Sequence, residues 1–456
     1  MLLLGSLSLA VLPFVVSSEL SPGVLALHRR AASSSSSPPV SPLVSAEFGT
    51  IFDVEAQFGN QSFQLLVDLG SSDTWVVQTG YQCFNGSDNL ELPQEACGYA
   101  NKTYDISSSF KQIPNQNFGV HYGVGIASGI VGYEDVSIAG KTVRGQEVGI
   151  VNKATNPGDG RDSGLLGLAY PALTSAHPGT NTSNSTFLLD RVPYTPVLQN
   201  MAKQGLIDPY FSLAIQRTPF NSSTGHGGYL ALGGLPPVDH SPDFAVTPVE
   251  ITEAVPLNVI SGKRQLSFWT VTVQGAVFNS TDHPAHSNST PPFQAVVDSG
   301  SPSSFFPHTL AASLNAAFNP PATPIPSNPS VYSVACDATP PTFGLTIGNQ
   351  TFYHAPEDLI INTGGDTCIS GLGNADAAPF EGVVLYFLGD VFLKNVVAVF
   401  DFGKDEMRFA TTFNLTGGGS GSTTTSAPSA SATSNAAGGN GRNIWRLLLV
   451  LSLACL

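Results

Sequence analysis

Two short segments of this chain could perform hydrolytic chemistry together. Leu65-Leu66-Val67-Asp68-Leu69-Gly70-Ser71 recurs as Ala295-Val296-Val297-Asp298-Ser299-Gly300-Ser301, in each case an apolar run followed by Asp-x-Gly-Ser. A carboxylate at the end of a buried strand is presented rigidly, and a glycine two residues on lets an opposing loop approach closely. If the two loops face one another, Asp68 and Asp298 lie within hydrogen-bond distance. Like charges that close cannot both ionise, so the pair shares one proton. The ionised member can draw a proton from a water while the protonated one donates to a carbonyl oxygen, which hydrolyses a peptide bond without a metal or covalent intermediate. One Asp-x-Gly is an ordinary turn; its repetition carries the signal. The nine histidines form no His-Glu-x-x-His pattern and there is no Gly-x-Ser-x-Gly elbow, which disfavours a metallopeptidase or a serine hydrolase. Neither a metal nor a cofactor is expected.

The elements that must hold these carboxylates repeat as well. Leu165-Leu166-Gly167-Leu168 follows the first Asp and Phe387-Leu388-Gly389-Asp390 the second, with the glycines 99 and 91 residues downstream. At 456 residues the chain exceeds what one core usually organises. Two lobes of one architecture explain both facts. Local signals are mostly β, with alternation in Thr50-Ile51-Phe52-Asp53-Val54-Glu55-Ala56 and Gly, Asn or Pro punctuation every ten or so residues. Short helices are expected only near 195–203 and 307–317. The fold class is therefore all-β, two barrel-like lobes spanning 47–236 and 237–413, with a cleft between them.

Composition places the protein outside the cell. Only 11% of residues are charged against 42% hydrophobic, and 33 acidic against 18 basic residues give a net charge of −15. That balance repels nucleic acid, which is excluded as a partner. Cys83 and Cys97 form a close pair in one half, and Cys336 and Cys368 another. None has metal-site spacing, and an oxidising compartment favours Cys83–Cys97 and Cys336–Cys368 disulfides, each stabilising by about 3 kcal/mol.

The termini read as addresses. Residues 1–18 form an apolar run ending in small residues, a signal peptide; a membrane helix fits less well, because Pro13 interrupts a stretch already short. Residues 19–46 contain Arg29-Arg30 and a serine run and read as a short propeptide, so the enzyme would be made as a zymogen, or as a solvated linker. Residues 414–441 are a Gly/Ser/Thr-rich spacer and 442–456 an apolar tail, the pattern of a glycolipid-anchor signal. Cys455 would leave with that tail. Glycosylation sequons stand at Asn60, Asn85, Asn101, Asn181, Asn184, Asn221, Asn279, Asn288, Asn349 and Asn414. A secreted, surface-attached glycoprotein is expected, monomeric and touching membrane or wall only through its anchor.

With these motifs in place, the chain over 48–413 resembles the pepsin-like aspartic peptidases, specifically secreted fungal-type enzymes with glycolipid anchors. Asp68-Leu69-Gly70-Ser71-Ser72-Asp73-Thr74-Trp75-Val76 is similar to the family's first motif, Asp298-Ser299-Gly300-Ser301 to its second, and Leu388-Gly389-Asp390-Val391-Phe392-Leu393 to its C-terminal segment. The resemblance implies polypeptide substrates and a flap hairpin around Phe118–Gly125. There Tyr122 and Gly123 would cover the substrate, with the Tyr122 hydroxyl bonded to the Trp75 indole. It also implies that Ser71 and Ser301 orient Asp68 and Asp298, and that Ser299 grips the opposite loop. Leu69 departs from the family's Thr or Ser, so one half of that grip lacks its hydroxyl. Val124 and Ile126 replace polar flap residues. An alternative reading is therefore a catalytically impaired, pepsin-fold cell-surface binding protein, although two carboxyls buried side by side favour the enzyme.

Overall fold

The structure is a computed structural model and describes residues 37–413, apart from 87, 101, 124, 156–157, 181–189, 280–285, 289–290, 378 and 380–381. The expected signal peptide, the propeptide as far as residue 36, the spacer, the tail, Val124 and the sequons at Asn101, Asn181, Asn184 and Asn414 lie outside the described residues. Among the described residues no helix is long and apolar enough to cross a membrane.

Alternating apolar residues give strands throughout. β1 (Val40–Ala46) and β2 (Ile51–Phe58) are antiparallel neighbours, and β2 turns at Gly59 and Asn60 into β3 (Gln61–Asp68), which ends on the first aspartate. β4 (Thr74–Phe84) leaves the Asp-x-Gly loop. Gly164–Gly167 then slots between β3 and β4, parallel to the first and antiparallel to the second, with Gly167 level with Asp68. The second half repeats the device. Phe293–Val297 ends before Asp298, Phe387–Leu388 runs parallel beside it, and Ser304–Phe306 pairs antiparallel. The two helical stretches form where expected, as α1 (Val197–Lys203) and α2 (His308–Ala316).

One sheet carries strands of both halves. Tyr210–Ile215 pairs with Gly225–Leu232 on one side and with Val396–Asp401 on the other. Beneath this junction the Phe211 and Phe400 rings stack at 4.9 Å, and Trp269 meets Phe400 edge-on at 5.1 Å. Buried aromatics there bond the lobes by packing as well as by backbone.

β1 falls at the end of the segment 19–46 read as propeptide or linker. Its residues 40–46 are a strand between β2 and Gly225–Leu232, with Leu43 and Ala46 buried. Pro42 hid it. The proline is exposed and precedes Leu43, where pairing with β2 begins, so its missing N–H leaves no ladder bond unmade on that side. The disulfides are Cys83–Cys97 and Cys336–Cys368, with Cα atoms 5.7 and 5.2 Å apart. Asn60, Asn221, Asn279 and Asn349 are exposed and Asn85 half-buried; Asn288 ends a short strand, His286–Asn288.

β2 also buries an acid away from the Asp-x-Gly loops. Asp53 has no exposure, and neither of its oxygens has a donor among the described residues. Burial raises its pKa well above the ordinary value, and Asp159 adds repulsion. Asp162 is raised likewise, by burial and then by Asp159. No group of three acidic, His or Cys side chains among the described residues is placed to hold a metal ion, so protonation is what relieves this cluster. The unfolded chain ionises near pH 3.9, while the folded chain holds its protons to higher pH. Stability is therefore full below about pH 4 and declines as pH rises towards the folded values. The thermal midpoint should be higher at pH 4 than at pH 7, and Asp53→Asn should raise it at pH 7 far more than at pH 4; calorimetry at both values checks this, and an equal effect would refute the assignment.

Candidate active site

The loops after β3 and after Phe293–Val297 meet at the centre of the molecule. Asp68 and Asp298 are fully buried. Each carboxylate accepts from the backbone of its own glycine, Gly70 N to Asp68 Oδ1 at 2.8 Å and Gly300 N to Asp298 Oδ1 at 2.8 Å. Gly70 also shows how near the loops come. A Cβ placed there would stand 2.7 to 2.9 Å from all three carboxyl atoms of Asp298, so only glycine allows the approach. Gly167 and Gly389 do the same beneath the loops. Added Cβ atoms would fall 2.5 Å from Asp73 N and 2.2 Å from Ser303 O.

Electrostatics follow from this closeness. Burial pushes Asp68 well above the usual carboxylate range, and the neighbouring Asp298 charge pushes further. Asp298 is raised to about 6, chiefly by burial, against the bonds from Gly300 and Asp68. Its Oδ2 has no other donor among the described residues. A proton held between the two carboxyls satisfies that oxygen and removes the repulsion together.

The supporting residues fall into place unequally. Ser71 Oγ donates to Asp68 Oδ2. Ser301 does not mirror it, because its hydroxyl turns away and donates to Ser303 O at 2.8 Å. Ser301 thus shapes its own loop, which corrects its expected role on Asp298. Ser299 spans the lobes, donating to Val67 O at 2.8 Å and accepting from Leu69 N at 3.2 Å. Leu69 has no hydroxyl to return the bond. Its side chain is fully buried in the same apolar cluster as Val67, Val297 and Leu388, so packing stands where a second pair of hydrogen bonds would be.

The hairpin of Gln116–Tyr122 and Gly125–Ile138 pairs Tyr122 with Gly125, leaving exposed Gly123 at its tip. Trp75 Nε1 donates to Tyr122 Oη at 2.7 Å. Ile126 N donates to Thr155 Oγ1 at 2.9 Å, and His177 Nε2 lies 2.8 Å from Gly119 O, tying the hairpin to its neighbours.

Two groups escaped sequence reasoning. Asp73, inside the first motif but given no role there, is buried and accepts from Tyr194 Oη at 2.5 Å and Ser175 N at 2.8 Å. Tyr194 lies 121 residues away, so no local pattern announces the pair. Asp390 follows Gly389 and is fully buried, with neither oxygen given a donor among the described residues. Burial raises its pKa well above the usual range; Lys394 opposes this and Asp298 adds to it. Its place after Leu-Gly was the available signal.

The fold that carries these loops is found among solved structures. The aspartic proteinase from Irpex lacteus superposes with a TM-score of 0.61 at 20% identity, covering 84% of this chain and 99% of its own. The chain thus has the bilobal fold of the pepsin-like class. A family profile described as "Eukaryotic aspartyl protease" matches residues 54–412. A probable aspartic-type endopeptidase of Aspergillus fumigatus is 38% identical over 376 residues, spanning 81% of this chain and 80% of that protein. Cathepsin E of Aquarana catesbeiana is 27% identical over 358 residues, covering 77% and 76%. The chain belongs to the eukaryotic aspartyl protease family and is an aspartic-type peptidase.

Because Leu69 returns no bond, the Ser299 hydroxyl makes the side-chain grip on the opposite loop's backbone without a counterpart at Leu69. Ser299→Ala leaves Val67 O and Leu69 N buried without it and should cost about 2–4 kcal/mol, with most activity lost as the carboxyls separate. Ser299→Thr should retain both stability and turnover. Denaturant midpoints and peptidase rates measured side by side test this; an Ala variant as stable as the parent would sink it.

Proposed function

We propose that Asp68 and Asp298 together hydrolyse internal peptide bonds of extended polypeptides in acid medium. The observation that carries this is the approach of Gly70 to the Asp298 carboxyl, which brings two buried carboxyls together and supports their sharing one proton. In this reading the ionised carboxyl takes a proton from a water whose oxygen attacks the scissile carbonyl carbon, while the protonated one donates to the carbonyl oxygen. The tetrahedral diol then collapses, the C–N bond breaks, and a proton passes to the leaving nitrogen. Both carboxyls end in their starting states.

The hairpin tip, Tyr122 and Gly123, would close over the substrate and exclude bulk water, and strand-like backbone contacts would hold several residues of it. Ile126 would make this cleft more apolar than a hydroxyl-bearing one. The same reading has the chain secreted, released from its signal and propeptide, glycosylated at its exposed sequons, attached by a glycolipid and acting as a monomer. The alternative of an impaired binding protein is not favoured, since the shared-proton pair, Ser71 and the Trp75–Tyr122 bond are all retained.

The pH dependence has a definite sign. Asp298, raised to about 6, ionises first, and the proton that remains is held on Asp68, which burial and the Asp298 charge raise well above the ordinary range; kcat/KM should therefore fall as pH rises through that last ionisation. Cleavage of denatured globin between about pH 3 and 7, blocked by a statine-type inhibitor, is the assay. Asp68→Asn should lower the rate about a thousandfold or more. Correctly folded protein that cleaves nothing, yet gains activity as Leu69→Thr, would overturn the proposal in favour of the binding reading.

A further inference from the structure

A cavity of about 350 Å³ opens between the turn at Phe48–Thr50, the Arg217–Phe220 loop and the segments around Ile360 and Lys394. None of Asp68, Asp298, Trp75 or Tyr122 lines it, so it is separate from the cleft. Its walls include Phe48, Phe220, Ile360 and Ile361. Phe48 is held there by backbone at φ +61, a conformation that costs an L-residue on the order of 1 kcal/mol. The Phe220 carbonyl accepts from Asn362 Nδ2 at 3.0 Å, which fixes the second aromatic wall.

Two cations line the same space, and they differ. Arg217 is engaged, with Nε and Nη2 on Asp358 at 2.9 and 2.7 Å and Glu357 3.7 Å away. Lys394 is 8% exposed, with its ammonium 6.0 Å from the Phe52 ring centre. Among the described residues its ammonium has no recorded hydrogen bond or ion pair. Burial raises the pKa of Asp390, one turn before it in α3 (Asp390–Leu393), against the pull of Lys394, so the carboxyl is a weak counter-charge. The residue is nine-tenths buried, and an ammonium at the wall of an apolar cavity favours an anion or water that can meet it. Glu357 on the rim would repel a second negative charge.

We propose that this cavity binds a small amphipathic monocarboxylate, its anionic end on Lys394 and its apolar body between Phe48 and Phe220. Cavities of this size hold small ligands through apolar walls and a few polar anchors. Such a carboxylate could be a free apolar acid or the C-terminus of a short apolar peptide, and two probes separate these sources. The proposal does not depend on catalysis by the aspartates.

The test is calorimetric titration of the full chain at pH 5.5, with the cleft saturated by a statine-type inhibitor. Octanoate stands for the free acid, N-acetylphenylalanine for the peptide terminus, and their neutral amides are the controls. At least one acid should bind one to one, with its amide about tenfold weaker or worse, the range expected for losing a charged anchor. Lys394→Met, which keeps the packed stem, should weaken the acid similarly. Phe220→Ser, at a position 45% exposed, should also weaken it and serves where Lys394→Met does not fold. Absence of binding to folded protein, equal affinity for the amides, or a Lys394→Met variant that folds and binds undiminished would each overturn the proposal.

Discussion

The rest of this structure depends on one constraint: two carboxyl groups buried against each other must share a proton. Everything near Asp68 and Asp298 follows from meeting it. Gly70 is required because any side chain would occupy the space of the Asp298 carboxyl. Gly70 N and Gly300 N donate to Oδ1 of Asp68 and of Asp298, and Ser71 to Oδ2 of Asp68, so each group is oriented. One strand slotted between the two that flank each loop, parallel to the first and antiparallel to the second, holds the backbone that aims these donors.

The same constraint makes the lobe junction decisive, since each lobe supplies one carboxyl. Three kinds of bond fix that junction here. Backbone pairing of Tyr210–Ile215 with Val396–Asp401 joins the lobes through one sheet. Aromatic packing of Phe211, Phe400 and Trp269 fills the space beneath. At the loops themselves Ser299 holds two backbone groups while Leu69 contributes only apolar contact. The departure at Leu69 therefore alters the character of the grip without abolishing it: the geometry near the carboxyls rests on one hydroxyl and on packing.

What the sequence made legible was local or repeated. The two Asp-x-Gly-Ser loops, their glycine partners and the short helices are contiguous patterns, and the cysteines pair within 14 and 32 residues. What escaped was set by distance or by orientation. Asp73 finds Tyr194 only through folding, since nothing in either local stretch refers to the other. Ser301 has the position of Ser71 in its motif but points its hydroxyl at Ser303, a rotamer choice that symmetry of sequence cannot decide. β1 was hidden by Pro42, whose cost vanishes because pairing on one side starts at the next residue.

Acid residues away from the pair obey the same physics. Asp53, Asp162 and Asp390 are all raised by burial, and Glu147 is raised to about 7 by burial and by Asp73. None gains a cation strong enough to hold it ionised, so each favours its protonated form in the folded chain. A single rule then governs two properties usually treated apart. Rising pH removes protons that the fold prefers to keep and, in the proposed reading, also the proton that the Asp68–Asp298 pair would need for chemistry. Stability and turnover thus fade in the same direction, and a medium acidic enough for one is acidic enough for the other. The low charge of the surface completes the picture: with few lysines and arginines available as partners, protonation is the cheapest way for this chain to bury its acids.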